Sequence, residues 1–238
     1  MFCDLHSHVI WGIDDGAENF DITKKLIREC VADGIDTIIT SPHVTPGKRE
    51  FKDDAYLEHL EMTRAWIAEE GLDLRLYTGA EVLYTSMTER FLQERRLRDL
   101  ADSRYMLVEF MPDNSLQRIT EAMRSIGSAG YTPIIAHVER YDCLNKVDRI
   151  WDLKDEFNCL IQVNAHTVTR KQGFFRRRFI EKLLTSGVVD FIATDTHDMP
   201  DRHPNMSEAY EVLRNMLGEE EAADLTGGNQ RRLLLGEE

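Results

Sequence analysis

The chain has 238 residues, and its 43 acidic and 29 basic residues give a formal net charge of −14 at pH 7. A protein of this sign repels polyanions at long range, so nucleic acid is excluded as an expected partner. The N-terminus has no secretory signal pattern, and no segment approaches the roughly 18 uninterrupted apolar residues of a membrane span. We therefore expect a cytoplasmic protein without membrane insertion.

Short apolar, β-branched runs alternate with amphipathic helical stretches along the whole chain. A helix is indicated by the spacing of Ile22, Leu26 and Cys30, and glycines follow several of the helical stretches. Tail helices are predicted near Pro204–Leu217 and Asn229–Leu235. The predicted strands are Phe2–Leu5, Thr37–Thr40, Asp73–Tyr77, Tyr105–Phe110, Thr132–Ala136, Leu160–Val163 and Val189–Ala193.

This alternation is typical of parallel βα units. Seven predicted strands in 238 residues favour an α/β barrel of the TIM type, a (β/α)7 barrel, with residues 1–238 as one domain. A doubly wound open sheet would produce a similar pattern. It is disfavoured because no glycine-rich phosphate loop follows the first strand.

Metal-capable side chains fall at the C-terminal ends of the predicted strands. In a parallel barrel these ends converge on one face, which is also where barrel active sites lie. A lone histidine is more often structural, but five of the eight histidines follow strands in this way, so their joint placement predicts a shared site. The histidines and carboxylates concerned are His6, His8, Asp14, Asp15, His43, Glu81, Glu109, His137, Glu139, Asp195 and His197, and Arg140 directly follows Glu139.

Two motifs place paired ligands on one side of a strand end. In His6-x-His8 both imidazoles face the same way, because side chains alternate in direction from residue to residue. Asp195-x-His197 offers one carboxylate and one imidazole by the same geometry. Such mixed ligation suits Mn, Fe or Zn ions, and the abundance of carboxylates favours Mn.

Three histidines lie outside this set. His59 falls in a predicted helix, where a structural role is expected, and His203 precedes Pro204 in a predicted loop. His166 follows the sixth predicted strand and stays open as a residue that lines the site.

Taken together, these motifs resemble the polymerase and histidinol phosphatase (PHP) superfamily. Within it the chain is similar to the CpsB/CapC-type bacterial manganese-dependent protein-tyrosine phosphatases of capsular and exopolysaccharide synthesis. The resemblance covers nearly the whole length. It is carried by Asp4-Leu5-His6-Ser7-His8, Asp14-Asp15-Gly16, Ser41-Pro42-His43, Gly79-Ala80-Glu81, Leu107-Val108-Glu109-Phe110, Ile135-Ala136-His137-Val138-Glu139-Arg140 and Ala193-Thr194-Asp195-Thr196-His197.

The resemblance implies a distorted PHP-type barrel with a multinuclear metal site at the C-terminal ends of its strands. It implies roughly two or three Mn²⁺ ions, with Fe or Zn as alternatives. Asp14 competes with Asp15 for one ligand position, and Asp15 is favoured because it directly precedes Gly16, as the family's ligand does. By position, one metal is held by His6, His8, Glu81 and Asp195, a second by Glu81, Glu109 and His137, and a third by Asp15, His43 and His197.

The implied activity is hydrolysis of phosphomonoesters by attack of metal-activated hydroxide on phosphorus. The implied substrate is a phosphotyrosine protein or peptide, in particular the tail of a bacterial tyrosine kinase. Arg140 and Arg202 are placed to bind the phosphoryl oxygens through their planar guanidinium groups. Three alternatives remain: a histidinol-phosphate phosphatase, an amidohydrolase, and a non-catalytic regulatory PHP domain.

A cysteine-dependent phosphatase is a separate possibility, because Cys143 and Arg149 have the C-x5-R spacing. A phosphate-cradling loop needs small residues, usually glycine, so that its backbone N–H groups can converge on the anion. The segment between Cys143 and Arg149 has none, so this mechanism is rejected. The four cysteines are widely spaced and predict neither a disulfide framework nor a thiolate metal site.

A basic segment, Thr169–Arg178, follows the sixth predicted strand. It concentrates five cations and two phenylalanines in an otherwise acidic chain. Such a run is usually a solvated helix start. The alternative is a docking rim for the acidic, tyrosine-rich tail of a kinase.

Overall fold

The computed structural model describes residues 1–48, 51–198 and 202–237. Nine strand segments are present in these ranges, and all of their pairings are parallel. In chain order they are β1 (Phe2–Asp4), β2 (Ile35–Ile39), β3 (His43–Val44), β4 (Arg75–Tyr77), β5 (Glu81–Leu83), β6 (Tyr105–Glu109), β7 (Thr132–Ile135), β8 (Leu160–Asn164) and β9 (Phe191–Ala193).

The strands form two parallel sheets that continue into one another. The first has the order β1-β2-β4 and the second has the order β3-β5-β6-β7-β8-β9. Only residues 40–42 separate β2 from β3, and only residues 78–80 separate β4 from β5. A parallel bridge between Ser7 and Thr196 joins the two ends of this curled arrangement. The predicted mixed α/β architecture is therefore confirmed, and the curled sheet is consistent with a distorted barrel.

Side chains alternate between two apolar clusters along several of the strands. In β7, Ile134 belongs to the smaller cluster and Ile135 to the larger, and in β9 Phe191 and Ile192 divide in the same way. The larger cluster includes residues of the helices, whereas the smaller one fills the inside of the curl. Complete burial of one such aliphatic or aromatic side chain contributes about 1.5–3 kcal/mol, so both faces of the sheet stabilise it.

Helices follow the strands and cover the outer face. The first begins at Asn19, whose side-chain oxygen accepts hydrogen bonds from the N–H groups of Asp21 and Ile22. No helix in the described part of the chain is both long and apolar enough to cross a membrane. The helices are α1 (Phe20–Ala32), α2 (Asp53–Glu69), α3 (Thr88–Gln93), α4 (Leu116–Ser128), α5 (Val147–Phe157), α6 (Ala165–Thr169), α7 (Phe174–Thr185), α8 (Met206–Leu217) and α9 (Glu219–Ala223).

Residues 224–235 include wide, π-helical turns that pack against the sheet. Of the two predicted tail helices, Pro204–Leu217 corresponds to α8, whereas the region predicted as Asn229–Leu235 contains a π-helical turn over Arg231–Leu235 that follows another over Asp224–Gly228. The side chain of Gln230 donates to the carbonyl oxygen of Ile192 in β9, and Leu234 enters the smaller apolar cluster. The tail thereby closes one end of the curl.

Two short strands were missed at the sequence level. The sequence predicted that His43 and Glu81 lie just beyond strands, but each is the first residue of a further short strand, β3 and β5. These strands pair with His43 opposite Glu81. Two or three residues are too few to show an alternating pattern, which explains the omission.

Candidate metal centre

The structure brings together all the side chains that the sequence predicted as metal ligands. They form four overlapping groups, and within each group one ligand atom per residue lies within 4.8 Å of the others. The groups are His8, Asp15, His43 and His197; His6, His8 and Glu81; His6, His137 and Asp195; and His43, Glu81 and Glu109.

Glu81 lies at the centre of the cluster and is fully buried. Its Oε2 atom is 3.1 Å from His6 Nε2, 3.4 Å from His8 Nε2 and 3.0 Å from His43 Nδ1. Its Oε1 atom is 2.9 Å from His137 Nε2. Burial alone would favour the neutral acid, but the surrounding imidazoles hold the pKa of Glu81 well below its usual range. Glu81 is therefore a carboxylate that four imidazoles share.

The two neighbouring aspartates have different surroundings. Asp14 Oδ2 lies 2.7 Å from His8 Nδ1 and accepts a hydrogen bond of 2.9 Å from the backbone N–H of His43. Asp15 Oδ1 instead faces the Nε2 atoms of His43 and His197, each at 3.5 Å. This geometry favours Asp15 as a ligand and gives Asp14 the role of orienting His8.

Asp14 also changes the charge of His8. Burial lowers the pKa of this imidazole, but the carboxylates of Asp14 and Glu81 together outweigh burial, and the pKa of His8 is raised to about 10.

The backbone is strained at two of these positions. His137 and Asp195 have φ angles of 33° and 55°, in the left-handed region that residues with a Cβ atom rarely adopt. Such conformations cost on the order of 1–3 kcal/mol each and persist where the surrounding structure fixes them. A third constraint is at Gly16, where a Cβ atom would lie 2.1 Å from the carbonyl oxygen of His8. The backbone conformation at these positions directs the ligand side chains toward the cluster.

Four buried atoms of the cluster face one another at 3.0–3.4 Å, yet none forms a hydrogen bond of acceptable geometry with the described residues: His6 Nε2, His8 Nε2, His43 Nδ1 and Glu81 Oε2. A buried polar atom left unpaired costs about 1–3 kcal/mol, so four that face one another require an explanation. Bound cations would pair all of them. Because the donors are imidazole nitrogens and carboxylate oxygens, the residues fit Mn, Fe or Zn ions.

The two predicted phosphate-binding arginines border the cluster. Arg140 follows His137 in a 3₁₀ turn, and its Nη2 donates to Asp195 Oδ2 at 2.7 Å. Arg202 Nη1 lies 3.3 Å from His197 Nε2. Both side chains are partly exposed, so each guanidinium combines contact with the cluster and access to solvent.

The remaining histidines differ from the cluster. His59 Nδ1 lies 2.9 Å from the carbonyl oxygen of Trp11, and its ring stacks on the indole, as expected of a structural residue. His166 belongs to none of the four groups. Burial, together with the charges of Arg140 and Arg170, lowers the pKa of His166 to about 4, so it is a neutral imidazole beside the arginines.

The structure does not support a nucleophilic cysteine. Burial raises the pKa of the Cys143 thiol, whereas a cysteine nucleophile needs a lowered pKa. Arg149 donates to the backbone carbonyl oxygen of Cys143 at 2.9 Å and does not form an anion cradle with it.

Two residues that contact the cluster were not recognised in the sequence. Gln162 and Asn164 in β8 are fully buried and hydrogen-bond to His6, His137 and Asp195. The sequence does contain a weak indication of their role. These two polar residues lie two positions apart in an apolar strand, so they share one face of it.

Comparison with known protein families shows which family the chain belongs to. A family model described as capsular polysaccharide synthesis, CpsB/CapC, matches residues 2–235. The chain belongs to the CpsB/CapC family. It is 32% identical over 238 residues to tyrosine-protein phosphatase CpsB of Streptococcus pneumoniae, covering 98% of each chain. It is 27% identical over 217 residues to tyrosine-protein phosphatase YwqE of Bacillus subtilis, covering 91% of this chain and 85% of that one.

Solved structures of CpsB/CapC proteins share this fold. A structure from work on YwqE of Bacillus subtilis and CpsB of Streptococcus pneumoniae, described as unique metal-dependent tyrosine phosphatases, matches with a TM-score of 0.89. It has 26% sequence identity and covers 99% of this chain and 95% of that one. Histidinol phosphate phosphatase of Lactococcus lactis matches with a TM-score of 0.57 and 12% identity, which indicates a common fold alone. The family resemblance predicted from the motifs is confirmed.

Proposed function

We propose that the chain is a metal-dependent phosphomonoester hydrolase that removes phosphate from protein phosphotyrosine. The observation that carries the proposal is the convergence of imidazoles and carboxylates around buried, unpaired ligand atoms. The named relatives of the chain in the CpsB/CapC family are tyrosine-protein phosphatases, which favours phosphotyrosine over histidinol phosphate as the substrate.

The proposed cofactor is Mn²⁺, with roughly two or three ions bound. When bound, such ions supply Lewis-acid stabilisation of phosphoryl charge and activate water near neutral pH. The shared position of Glu81 supports its assignment to two sites at once. The family pattern assigns His6, His8, Glu81 and Asp195 to one ion, Glu81, Glu109 and His137 to a second, and Asp15, His43 and His197 to a third. The four groups of neighbouring ligand atoms contain the same nine residues but place His43, and not His137, with Glu81 and Glu109.

The chain's own groups bind and orient the phosphoryl group. Arg140 and Arg202 lie between the cluster and solvent, where a planar guanidinium can pair with two phosphoryl oxygens. The fully buried Glu81 and His6 form the floor that excludes bulk water. The phenolate of tyrosine has a pKa near 10, so it departs with less proton donation than an alkoxide requires.

The proposed physiological substrate is the acidic, tyrosine-rich tail of a bacterial tyrosine kinase. Residues 170–178, here called the basic rim, would contact it. Arg176 donates to the carbonyl oxygen of Glu139, which immediately precedes Arg140, so the rim adjoins the arginines of the cluster. Phe174 and Phe175 are 72% and 86% exposed, and these rings offer apolar contacts to tyrosine side chains.

The proposal also covers the number of barrel strands, the extent of the domain and the location of the protein. We infer that β2 with β3, and β4 with β5, each act as one interrupted barrel strand, which gives the seven strands of a PHP-type barrel. Residues 1–238 then form one phosphatase domain. The four unpaired cysteines suit a reducing compartment, which supports a cytoplasmic location.

The test compares substrates before and after metal removal. Chelated protein should lose hydrolysis of a phosphotyrosine peptide and regain it with Mn²⁺, and kcat/KM for the peptide should exceed that for histidinol phosphate. Full activity without metal would contradict the proposal. Preference for histidinol phosphate would indicate the small-molecule phosphatase. Metal binding without hydrolysis of any phosphoester would indicate a regulatory domain.

A further inference from the structure

A buried chain of hydrogen bonds links three of the proposed ligand residues through atoms that face away from the ligand cluster. Gln162 Oε1 accepts from the backbone N–H of His137 at 2.7 Å and lies 3.2 Å from His6 Nδ1. Gln162 Nε2 donates to Asn164 Oδ1 at 2.7 Å. Asn164 Nδ2 in turn donates to Asp195 Oδ2 at 2.9 Å. Gln162 and Asn164 are both fully buried, so water does not compete for these contacts.

The direction of this chain is fixed at both ends. The backbone N–H of His137 can only donate, so the atom of Gln162 that faces it must be the amide oxygen. The amide nitrogen of Gln162 then faces Asn164 and requires its oxygen. Asn164 therefore turns its nitrogen toward the Asp195 carboxylate, which can only accept. Rotating either amide by 180° would place donors against donors and acceptors against acceptors.

This direction determines the tautomer of His6. The oxygen of Gln162 can only accept, so His6 Nδ1 must carry a proton. His6 Nε2 is then the atom left for a ligand, and it points toward Glu81 Oε2 at 3.1 Å and Asp195 Oδ1 at 3.5 Å. A hydrogen bond to one ring nitrogen is the usual means by which proteins select the other as the metal-binding atom.

The same chain orients Asp195. Its Oδ2 atom accepts from both Asn164 and Arg140, at 2.9 Å and 2.7 Å. Its Oδ1 atom remains on the side of the cluster, 3.5 Å from His6 Nε2 and 3.6 Å from His8 Nε2. The carboxylate is thus held in one rotation, with a single oxygen directed at the imidazoles.

We propose that Gln162 and Asn164 are positioning residues for the metal centre. Gln162 selects Nε2 of His6 as the ligand atom, and Asn164 selects Oδ1 of Asp195. The direction of the hydrogen bonds is set by the backbone N–H of His137, which remains a donor whatever the pH or the side-chain rotamer. The inference rests on the metal-binding part of the proposed function and is independent of the substrate.

Gln230 provides a matched control. It is also a fully buried glutamine, and its Nε2 donates to two backbone carbonyl oxygens, those of Ile192 and Leu225. These contacts lie in the tail packing and not in the ligand cluster. Gln162→Met and Gln230→Met therefore remove the same group from equally buried sites while retaining side-chain volume.

The experiment measures Mn²⁺ binding by calorimetry in the absence of substrate. Gln162→Met should raise the Mn²⁺ dissociation constant by about 10–100-fold, the usual effect of losing an outer hydrogen bond to a ligand. Gln230→Met should lower Tm but leave Mn²⁺ affinity within about twofold of the parent, because no ligand loses a partner. Unchanged affinity in Gln162→Met, or an equal loss in both variants, would overturn the proposal.

A second measurement uses the parent protein, so it does not depend on whether a variant folds. In Zn²⁺-loaded protein labelled with ¹⁵N-histidine, His6 should show a protonated Nδ1 and a coordinated Nε2. Coordination through Nδ1 would overturn the proposal. Neither measurement requires turnover, so an error about phosphotyrosine as substrate would appear as inactivity with intact Mn²⁺ binding and leave this result separate.

Discussion

The metal cluster and the basic rim are adjacent but are built in opposite ways. In the cluster, Glu81 and His6 are fully buried, and outer hydrogen bonds fix the orientation of the ligands. In the rim, Phe174 and Phe175 project into solvent, and the Arg177 side chain pairs with Glu181 one helical turn away. Chemistry benefits from groups held in place beforehand, whereas recognition of a flexible tail benefits from groups that adapt. The difference suggests that turnover and substrate selection can be altered separately.

The largest effect is expected at the centre of the cluster. Glu81→Gln removes the charge that four imidazoles share, so turnover of para-nitrophenyl phosphate should fall by roughly 10³-fold. Bound Mn²⁺, measured by elemental analysis, should fall with it. Glu94→Gln is the control, because the Glu94 carboxylate pairs with the exposed Arg90 and Arg96 and not with a residue of the cluster among those described. Near-parental turnover with full metal content in Glu81→Gln would exclude Glu81 as a shared ligand.

Arg140 lies between the two regions and should produce the next largest effect. Arg140→Lys retains the charge but loses the planar pair of donors, so kcat/KM should fall by about 10²-fold on any phosphomonoester. Mn²⁺ content should stay near the parental value, because Asn164 still holds Asp195. Arg149→Lys, which changes a guanidinium bound to a backbone carbonyl, serves as the control. A loss of metal in Arg140→Lys would show that Arg140 supports the cluster instead.

Charge reversal in the rim should affect substrate selection without affecting turnover at the cluster. Replacing Arg176, Arg177 and Arg178 by Glu should lower kcat/KM for an acidic phosphotyrosine peptide by about tenfold and make it less sensitive to salt. Turnover of para-nitrophenyl phosphate, which does not reach the rim, should barely change. Because Arg176 also contacts the Glu139 carbonyl, the double variant at Arg177 and Arg178 is the cleaner version. Equal losses on both substrates would mean that the arginines support the fold, and equal retention would leave the rim as solvated surface.

The smallest effect is expected at Cys143. Cys143→Ser should leave turnover within about threefold of the parent, because burial raises the pKa of this thiol and the cluster lies elsewhere. The measurement is steady-state hydrolysis of para-nitrophenyl phosphate. A loss of several orders of magnitude would reinstate a cysteine nucleophile.

The cluster was predictable because its ligands follow strands whose patterns are long enough to recognise. His6-x-His8 and Asp195-x-His197 each place two ligands by simple alternation, and parallel strands bring their ends together. The sequence left Asp14 and Asp15 open, because adjacent carboxylates at a turn differ only in the direction that the folded backbone gives them. Contacts with His8 and His197 distinguish them in the structure.

Other features could not be predicted for physical reasons. Strands β3 and β5 are too short to show a period, so His43 and Glu81 were expected just beyond strands and not within them. Gln162 and Asn164 were overlooked because two polar residues on one face of a strand match no established metal motif, and their roles depend on partners far away in the sequence. The exposure of the rim side chains depends on which other segments pack against them, and the local composition does not specify those segments.

The packing of the tail has a consequence for how the protein is made. Leu234 fills the same apolar cluster as Leu5 and Phe191, and Arg231 pairs with both Asp36 and Glu237. The first strand emerges from the ribosome more than two hundred residues before this last piece of its core. The first strand can therefore complete its apolar packing only after the residues around Leu234 have been synthesised, which makes this part of the core one of the last to form.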